Sequence, residues 1–193
     1  MCGICGEMRF DGGAVEKSLL DHMNSCLERR GPDDAGLFLD GSTGFGHRRL
    51  SVIDLSEKSH QPMVDKDLDL VLVFNGAIYN YRELRTELRE KGYSFFSDGD
   101  SEVILKAWHE WGERCPEYLH GMFAFVIWDR KRQCCFMARD RFGIKPLYYT
   151  KIGNQFCLAS EIKQFTVIDR WRAGMNETRI RDFLAYGIFD HSG

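Results

Sequence analysis

The sequence predicts an α+β fold in which two antiparallel sheets pack face to face, with helices on their outer sides. Apolar segments occur in pairs joined by short polar connections, which is typical of hairpins, and the strands of a hairpin pair antiparallel. Several of these segments are apolar on both faces, so each sheet must be covered on both sides. The chain has 193 residues, of which 44% are hydrophobic and 28% are charged. This composition is ordinary for a globular domain, and the length suffices for one sizeable core.

Strands are predicted at residues 44–55, 70–74, 123–128, 134–138, 147–150 and 156–159. Polar residues 129–133 separate one pair, and residues 151–155, which include a Gly-Asn turn, separate another. Cys134 and Cys135 are adjacent in a strand, so their side chains should face opposite sides of the sheet. That arrangement argues against a metal ion shared by these two thiols.

Helices are predicted from apolar residues at helical spacing and from capping residues. The first is indicated by apolar residues at four-residue steps, which are Val15, Leu19, Met23 and Leu27. The second covers residues 81–91, between Asn80 as the N-cap and Gly92 as the C-terminal glycine. The other two cover residues 101–111 and 176–186.

Residues 1–175 are predicted to form one domain. Residues 176–193 hold the last predicted helix and then stop without a terminating structure. We interpret them as the start of a linker or of a following domain that is cut short, with a frayed natural terminus as the alternative.

Composition and charge exclude several classes of function. With 26 basic and 29 acidic residues the formal net charge is −3, which gives no electrostatic reason to expect nucleic acid or an anionic membrane as a partner. No apolar stretch is long enough to span a bilayer, and the N-terminus lacks the features of a signal peptide. The seven cysteines, an odd number, are interpreted as reduced thiols, so we expect a cytoplasmic protein.

The histidines follow no zinc-binding spacing, and Cys2 and Cys5 lack a second cysteine pair, so no metal site is predicted.

Cys2 is the candidate nucleophile. An initiator methionine before a small residue is commonly removed, and Cys2 would then carry a thiol and a free α-amine on one carbon. An α-amine has a reference pKa of about 7.7–8.0, so near neutral pH a useful fraction can accept the thiol proton. Nucleophile and base are then combined in one residue. The alternative is an ordinary buried cysteine.

Asn75 and Gly76 end an apolar strand and are candidates for an oxyanion hole. The asparagine amide and the glycine backbone N–H offer two hydrogen-bond donors at one place. Asn-Gly is also the commonest tight-turn dipeptide, so a plain turn is the alternative.

Two charged groups are candidates for holding the ends of an amino acid. Arg49 lies in a strand-like segment, and an arginine can bind a carboxylate bidentately; the alternative is a solvated arginine on a strand face. The acids of residues 98–102 begin a predicted helix, where N-capping alone would account for them, but one of them could bind an ammonium group. An arginine, an acid, a thiol and an oxyanion hole together fit hydrolysis of an α-amino acid whose side chain ends in a carboxamide.

Short motifs in one order along nearly the whole chain carry a family resemblance. They are MCGI at 1–4, RGPD at 30–33, GHRRLSVIDL at 46–55, NGAIYN at 75–80, DSEVIL at 100–105, GMFAF at 121–125 and ARDRFGIKPLYY at 138–149. With these motifs the chain resembles the class II glutamine amidotransferase domain, an N-terminal nucleophile (Ntn) hydrolase, and in particular the asparagine synthetase family. The resemblance implies a four-layer αββα sandwich and hydrolysis of glutamine to glutamate and ammonia.

The resemblance also implies roles for individual residues. Cys2 is similar to the family's nucleophile, Asn75 and the Gly76 N–H to its oxyanion hole, Arg49 to its carboxylate clamp and Asp100 to its ammonium partner. The other substrate-binding positions that it implies are Leu50, Ser51, Val52, Ile53 and Ala77. Two positions depart from the family pattern, since many asparagine synthetases have Glu where this chain has Ala77, and Gly99 replaces the usual Ser.

In relatives, an ATP-pyrophosphatase synthetase domain follows and adenylates the acceptor. The resemblance therefore implies no cofactor for this domain, ATP and Mg in the missing C-terminal synthetase domain, and aspartate as the acceptor. A dipeptide acceptor, a non-catalytic amino-acid-binding relative and a homodimer stay open. The phosphoribosylpyrophosphate and sugar-phosphate types are disfavoured, because they have His-Thr-Arg-Tyr/Trp-Ala/Ser-Thr where this chain has HRRLSV at 47–52.

Overall fold

Two antiparallel sheets form the centre of the computed structural model, which describes residues 1–51 and 56–187. The strands are β1 (Gly3–Arg9), β2 (Asp34–Asp40), β3 (Thr43–Arg49), β4 (Met63–Asp65), β5 (Leu70–Ile78), β6 (Gly121–Asp129), β7 (Cys134–Arg139), β8 (Tyr148–Ile152) and β9 (Gln155–Ala159). One sheet has the order β2-β3-β1-β9-β8, and the other has the order β4-β5-β6-β7. All neighbouring strands pair antiparallel.

The helices cover the outer sides of the sheets. They are α1 (Lys17–Ser25), α2 (Tyr81–Glu90), α3 (Ser101–Trp111), α4 (Cys115–Tyr118) and α5 (Glu177–Tyr186), with short 3₁₀ helices at Glu57–Ser59, Gly112–Arg114 and Ile162–Val167. Within the described ranges, no helix combines the length and apolar character that crossing a membrane requires.

Three apolar clusters join the layers. The cluster between the two sheets contains Ile4 and Phe45 from one sheet and Val73 and Val126 from the other. A second cluster packs α2 and α3 on the four-stranded sheet, and a third packs α1 and the 3₁₀ helix Ile162–Val167 on the five-stranded sheet. The layers therefore follow the order helix, sheet, sheet, helix, which confirms the predicted αββα sandwich.

Several local predictions are confirmed. Helix α3 has the predicted bounds, and α2 ends before Gly92, whose φ of 96° suits a glycine. Cys134 packs in the helix-side cluster and Cys135 between the sheets, so the two thiols do face opposite ways. The prediction that the Asn80 side chain caps α2 is wrong. Its amide nitrogen donates to the Tyr118 carbonyl at 3.0 Å and its amide oxygen accepts the His120 N–H at 2.9 Å, so neither group is left for the helix.

Two predicted strands have different lengths from those expected. The strand expected at residues 44–55 ends at Arg49, and residues 52–55 lie outside the described part of the chain. The strand expected at residues 70–74 continues to Ile78, so it includes Asn75 and Gly76. The prediction that these two residues end the strand is wrong, since they pair with Ala124 and Phe123 of β6.

Strand β1 was not predicted from the sequence, although it lies at the centre of its sheet. Its glycines interrupt the alternation by which strands are recognised. They are required by packing, because a Cβ on Gly3 would lie 2.7 Å from Leu27 and one on Gly6 would lie 2.6 Å from Phe45. β2 and β4 were also missed.

Candidate active site

Antiparallel pairing brings the start of β1 next to the end of β3. Gly3 pairs with Arg48, so Cys2 and Arg49 lie next to each other at one end of the adjacent strands β1 and β3. A cavity of about 210 Å³ opens there, between the ends of these two strands, β5 and the start of α3. We call it the Cys2 cavity. Its lining includes Cys2, Arg49, Leu50, Asn75, Gly76, Ala77 and Asp100, which are seven of the predicted site residues.

The Cys2 thiol is half-buried and held by the backbone of Leu50. The Leu50 N–H points to Sγ at 3.4 Å, and Sγ lies 3.5 Å from the Leu50 carbonyl oxygen. The residues around Cys2 are fixed by Arg30, whose Nε donates to the Cys2 carbonyl at 3.1 Å and whose own carbonyl accepts the Met1 amine at 2.9 Å. Arg30 is in turn paired with Glu161 at 3.0 Å. The backbone on both sides of the thiol is therefore well positioned.

The Asn75 side chain is buried, with 1% of its surface exposed. In the described part of the chain, its Nδ2 has no hydrogen-bond partner. An unsatisfied buried donor costs free energy, so such groups in native proteins call for an explanation. Asn75 lines the same cavity as Cys2, so an oxygen of a bound ligand is one acceptor that this donor could meet.

Gly76 tolerates no side chain at its position. A Cβ there would lie 2.3 Å from the Met122 carbonyl oxygen and 2.7 Å from the Phe74 ring. Its place inside β5 excludes the alternative that Asn75 and Gly76 form a plain turn. The glycine therefore lets the chain pass closely between β6 and the cavity.

Arg49 is the last residue of β3 and is 8% exposed. One guanidinium nitrogen donates to the Ser56 carbonyl at 3.1 Å. The nearby His47 carries no competing positive charge, because burial lowers its pKa to about 3. Arg49 thus supplies a fixed cation at one side of the Cys2 cavity.

Of the acids at residues 98–102, only Asp100 lines the Cys2 cavity. Its carboxylate accepts the Ile78 N–H at 2.9 Å, and burial raises its pKa, against hydrogen bonds from backbone N–H groups that lower it. The side chain of Asp98 is 97% exposed. Glu102 is buried and accepts the N–H groups of Phe96 and Ser97. Asp100 is therefore the acid that can meet a ligand.

The other predicted site residues have different positions. Ser51 does not line the cavity, and its N–H donates to the Asp33 carboxylate at 2.8 Å. Val52 and Ile53 lie outside the described residues. The cavity also has lining residues that were not predicted, which are Met1, Ser59, Gln61, Phe74, Gly99, Ser101, Met122 and Lys145. Several of them lie inside or next to quoted motifs, but the sequence gave no sign that they line this cavity; they are Met1, Phe74, Gly99, Ser101, Met122 and Lys145.

The cavity is chemically suited to one small zwitterion. Its lining includes the cations Arg49 and Lys145, the acid Asp100, the Cys2 thiol and the Asn75 amide, whose Nδ2 has no hydrogen-bond partner among the described residues. Its volume lies below the roughly 300–1,000 Å³ of sites for drug-sized ligands. Among the described side chains, no three His, Cys, Asp or Glu residues come together as a metal site.

Comparison with known proteins identifies the family. The model of the glutamine amidotransferase domain matches residues 1–192. Asparagine synthetase [glutamine-hydrolyzing] 3 of Bacillus subtilis is 40% identical over 190 residues, which are 97% of this chain and 31% of that protein. Asparagine synthetase [glutamine-hydrolyzing] 1 of the same organism is 45% identical over 170 residues, which are 86% of this chain and 27% of that protein. The chain thus spans about a third of the length of these curated relatives.

The solved structures support the fold. The glutamine phosphoribosylpyrophosphate amidotransferase from B. subtilis, complexed with ADP and GMP, matches with a TM-score of 0.71 at 21% identity, over 86% of this chain and 43% of that chain. At this identity the likeness concerns the fold alone. Sequence and fold together show that the chain belongs to the family of class II glutamine amidotransferase domains, with relatives at about 40% identity that are named glutamine-hydrolysing asparagine synthetases.

Proposed function

We propose that this domain hydrolyses glutamine to glutamate and ammonia, with Cys2 as the nucleophile once Met1 has been removed. The observation that carries the proposal is that buried Asn75, whose Nδ2 has no hydrogen-bond partner among the described residues, lines the same cavity as Cys2. A glutamine side chain ends in a carbonyl oxygen, which is the acceptor that such a donor lacks. The thiol, the cation and the anion of this cavity then each have a matching group on the substrate.

Glutamine binds through the charges at its α-carbon. Arg49 holds the α-carboxylate and Asp100 holds the α-ammonium, while the side chain extends toward Cys2 and Asn75. Ala77 adds no charge to the ammonium end, so Asp100 is the main acid there. Because burial raises the pKa of Asp100, its carboxylate becomes protonated at a higher pH than that of an exposed aspartate. Glutamine binding should therefore weaken as the pH falls through this range.

The reaction begins when the Cys2 thiol passes its proton to the free α-amine of the same residue. The thiolate adds to the γ-carbonyl carbon, and the oxygen becomes negative beside the Asn75 amide and the Gly76 backbone. The C–N bond breaks, the nitrogen leaves as ammonia with the proton held by the α-amine, and a γ-glutamyl thioester remains. Water then hydrolyses the thioester, which releases glutamate and restores the thiol.

The ammonia is passed to a synthetase domain beyond this chain, since the curated relatives are about three times as long. The proposed acceptor is aspartate, which would give asparagine at the expense of ATP, and both ATP and Mg²⁺ belong to that domain. Because the proposed chemistry here needs only a thiol, an amine and amide donors, no cofactor is assigned to this domain. The domain boundary at residue 175, a homodimer and a cytoplasmic location stay predictions.

Replacing the nucleophile tests the proposal directly. We expect Cys2→Ala to abolish ammonia release from glutamine, with an unchanged circular dichroism spectrum, because the thiol contributes little packing at the chain terminus. Cys26→Ala is the matched control, since Cys26 is also half-buried but lies outside the cavity. Ammonia release by Cys2→Ala at the wild-type rate would remove Cys2 from the mechanism.

Asn75→Ala should lower kcat by about 10²–10³-fold, because the lost donor acts on an oxygen that becomes negative only in the transition state. Glutamine hydrolysis at saturating substrate measures this effect. Asn154→Ala, in the exposed turn between β8 and β9, serves as the control and should keep the wild-type rate. A folded Asn75→Ala protein with wild-type kcat would place the oxyanion hole elsewhere.

Arg49→Ala should raise KM for glutamine more than it lowers kcat, because a carboxylate clamp holds the substrate and the transition state about equally. Loss of one partner of such a charged pair costs roughly 2–5 kcal/mol of binding free energy. Arg48→Ala is the neighbouring control, since the Arg48 Nε donates to the Asn24 carbonyl at 3.3 Å, away from the cavity. If Arg48→Ala, and not Arg49→Ala, raises KM, the clamp has been assigned to the wrong arginine.

A further inference from the structure

Lys145 is a buried cation in the Cys2 cavity that the proposed function does not use. Only 6% of the residue is exposed, and its Nζ lies 3.5 Å from the Met1 sulfur. The surrounding turn holds its backbone, since its N–H donates to Asp140 at 3.0 Å and its carbonyl accepts Arg139 Nε at 2.7 Å. The ammonium group is therefore directed to the end of the cavity where the chain begins.

The charge of Lys145 has no anionic partner in the described part of the chain. Among the described residues, no carboxylate lies within ion-pair distance of its Nζ, and the thioether sulfur that it does contact is only a weak acceptor. The acid of the same turn, Asp140, uses its carboxylate on backbone N–H groups, including those of Phe123 and Ile144. Burial raises the pKa of Asp140, but these hydrogen bonds together outweigh it and hold the pKa below its usual value. Burying an ammonium group without an anionic partner costs free energy, so we expect an anion to lie near Lys145 in the active form of the protein.

The identity of that anion follows from the other charges, and this step rests on the proposed function. Bound glutamine brings one carboxylate, matched by Arg49, and one ammonium, matched by Asp100. Its own charges therefore leave Lys145 without a partner. The remaining negative charge is the one that arises on Cys2 when its thiol gives up the proton. Met1, the residue that Nζ contacts, is bonded directly to Cys2 and is the residue whose removal the proposed function requires.

We propose that Lys145 supplies the positive charge that stabilises the Cys2 thiolate after Met1 has been removed. The proton moves from Sγ to the α-amine, the electron pair stays on sulfur, and the ammonium of Lys145 lowers the free energy of that charge-separated state. Positive neighbours are a general means by which proteins favour thiolates. A lysine at this place would thus raise the fraction of reactive thiolate without contacting the ends of the substrate.

The other charged groups near Cys2 are already engaged. Arg30 forms an ion pair with Glu161, and Arg49 donates to the Ser56 carbonyl. Asp33 accepts the Ser51 N–H and Asp100 accepts the Ile78 N–H. The remaining charged group is the α-amine of Cys2, which receives the thiol proton. Arg49 and Asp100 carry opposite charges and line the same cavity, so their effects on the thiolate oppose each other. Lys145 is the group whose removal should change the thiolate population most clearly.

The test uses the full chain with Met1 removed, checked by intact mass, as wild type, Lys145→Met and Lys145→Arg. Uncharged iodoacetamide alkylates thiolates, and mass spectrometry of the N-terminal peptide gives the alkylation rate of Cys2 against pH. We expect the midpoint for Lys145→Met to lie about one pH unit or more above that of the wild type, and Lys145→Arg to stay near the wild type. At neutral pH, kcat for ammonia release should fall about tenfold in Lys145→Met with KM little changed.

Two results would overturn the proposal. One is an equal Cys2 midpoint in wild type and Lys145→Met. The other is a rise in KM with an unchanged midpoint, which would make Lys145 a substrate clamp. Cys26 in the same samples is the internal control, and a parallel shift of its profile would show a general structural effect and also count against the proposal. Failure of the proposed function is separate, because it would appear as ammonia release by Cys2→Ala, whereas the alkylation profile does not depend on glutamine.

Discussion

Strand β1 is hydrogen-bonded on both sides, to β3 and to β9, and this central position fixes the place of the first residues of the chain. A terminal strand at a sheet edge could fray, but a central one cannot leave without breaking two ladders. Ser160 adds to this hold, since its Oγ accepts the Ile4 N–H and its N–H donates to the Ile4 carbonyl, both at 2.9 Å. The start of the chain, normally the most mobile part of a protein, is thereby held in place beside the Cys2 cavity.

The geometry of the site follows from this anchoring. The antiparallel pairing of β1 with β3 places Arg49 next to Cys2. The packing of the two sheets places Asn75 and Gly76 of β5 in the lining of the same cavity. The close packing of β5 on β6 leaves no room for a side chain at Gly76, and it holds the neighbouring Asn75, whose Nδ2 has no hydrogen-bond partner among the described residues. Arg49, Asn75 and Gly76 are thus held by the sheets themselves, which limits the reorganisation needed when charge develops beside them.

Much of the fold could be predicted from the sequence, because hairpin spacing and helical periodicity are local signals. Where local and tertiary forces disagree, the prediction failed. Asn75 and Gly76 have turn chemistry, but nine residues of pairing with β6 keep them in a strand. β1 lacks alternation because Leu27 and Phe45 occupy the space where Gly3 and Gly6 would carry side chains.

The candidate site could be assigned by family resemblance but not by pattern alone. The residues that converge on the cavity come from parts of the chain up to 144 positions apart, from Met1 to Lys145, and only the packed fold brings them together. Lys145 shows the limit most clearly, since the sequence has no feature that marks a lysine as buried. The unpaired charge becomes visible only when its neighbours are known.

In the proposed mechanism the free α-amine of Cys2 takes part in the reaction, and the direct test is to vary the fraction of chains that carry it. Protein purified with Met1 retained is treated with methionine aminopeptidase for increasing times, and intact mass gives the fraction of chains without Met1. Ammonia release from glutamine is then measured on each sample. We expect the rate to rise in proportion to that fraction and to vanish when Met1 is fully retained. A rate that does not depend on the removal of Met1 would contradict the account.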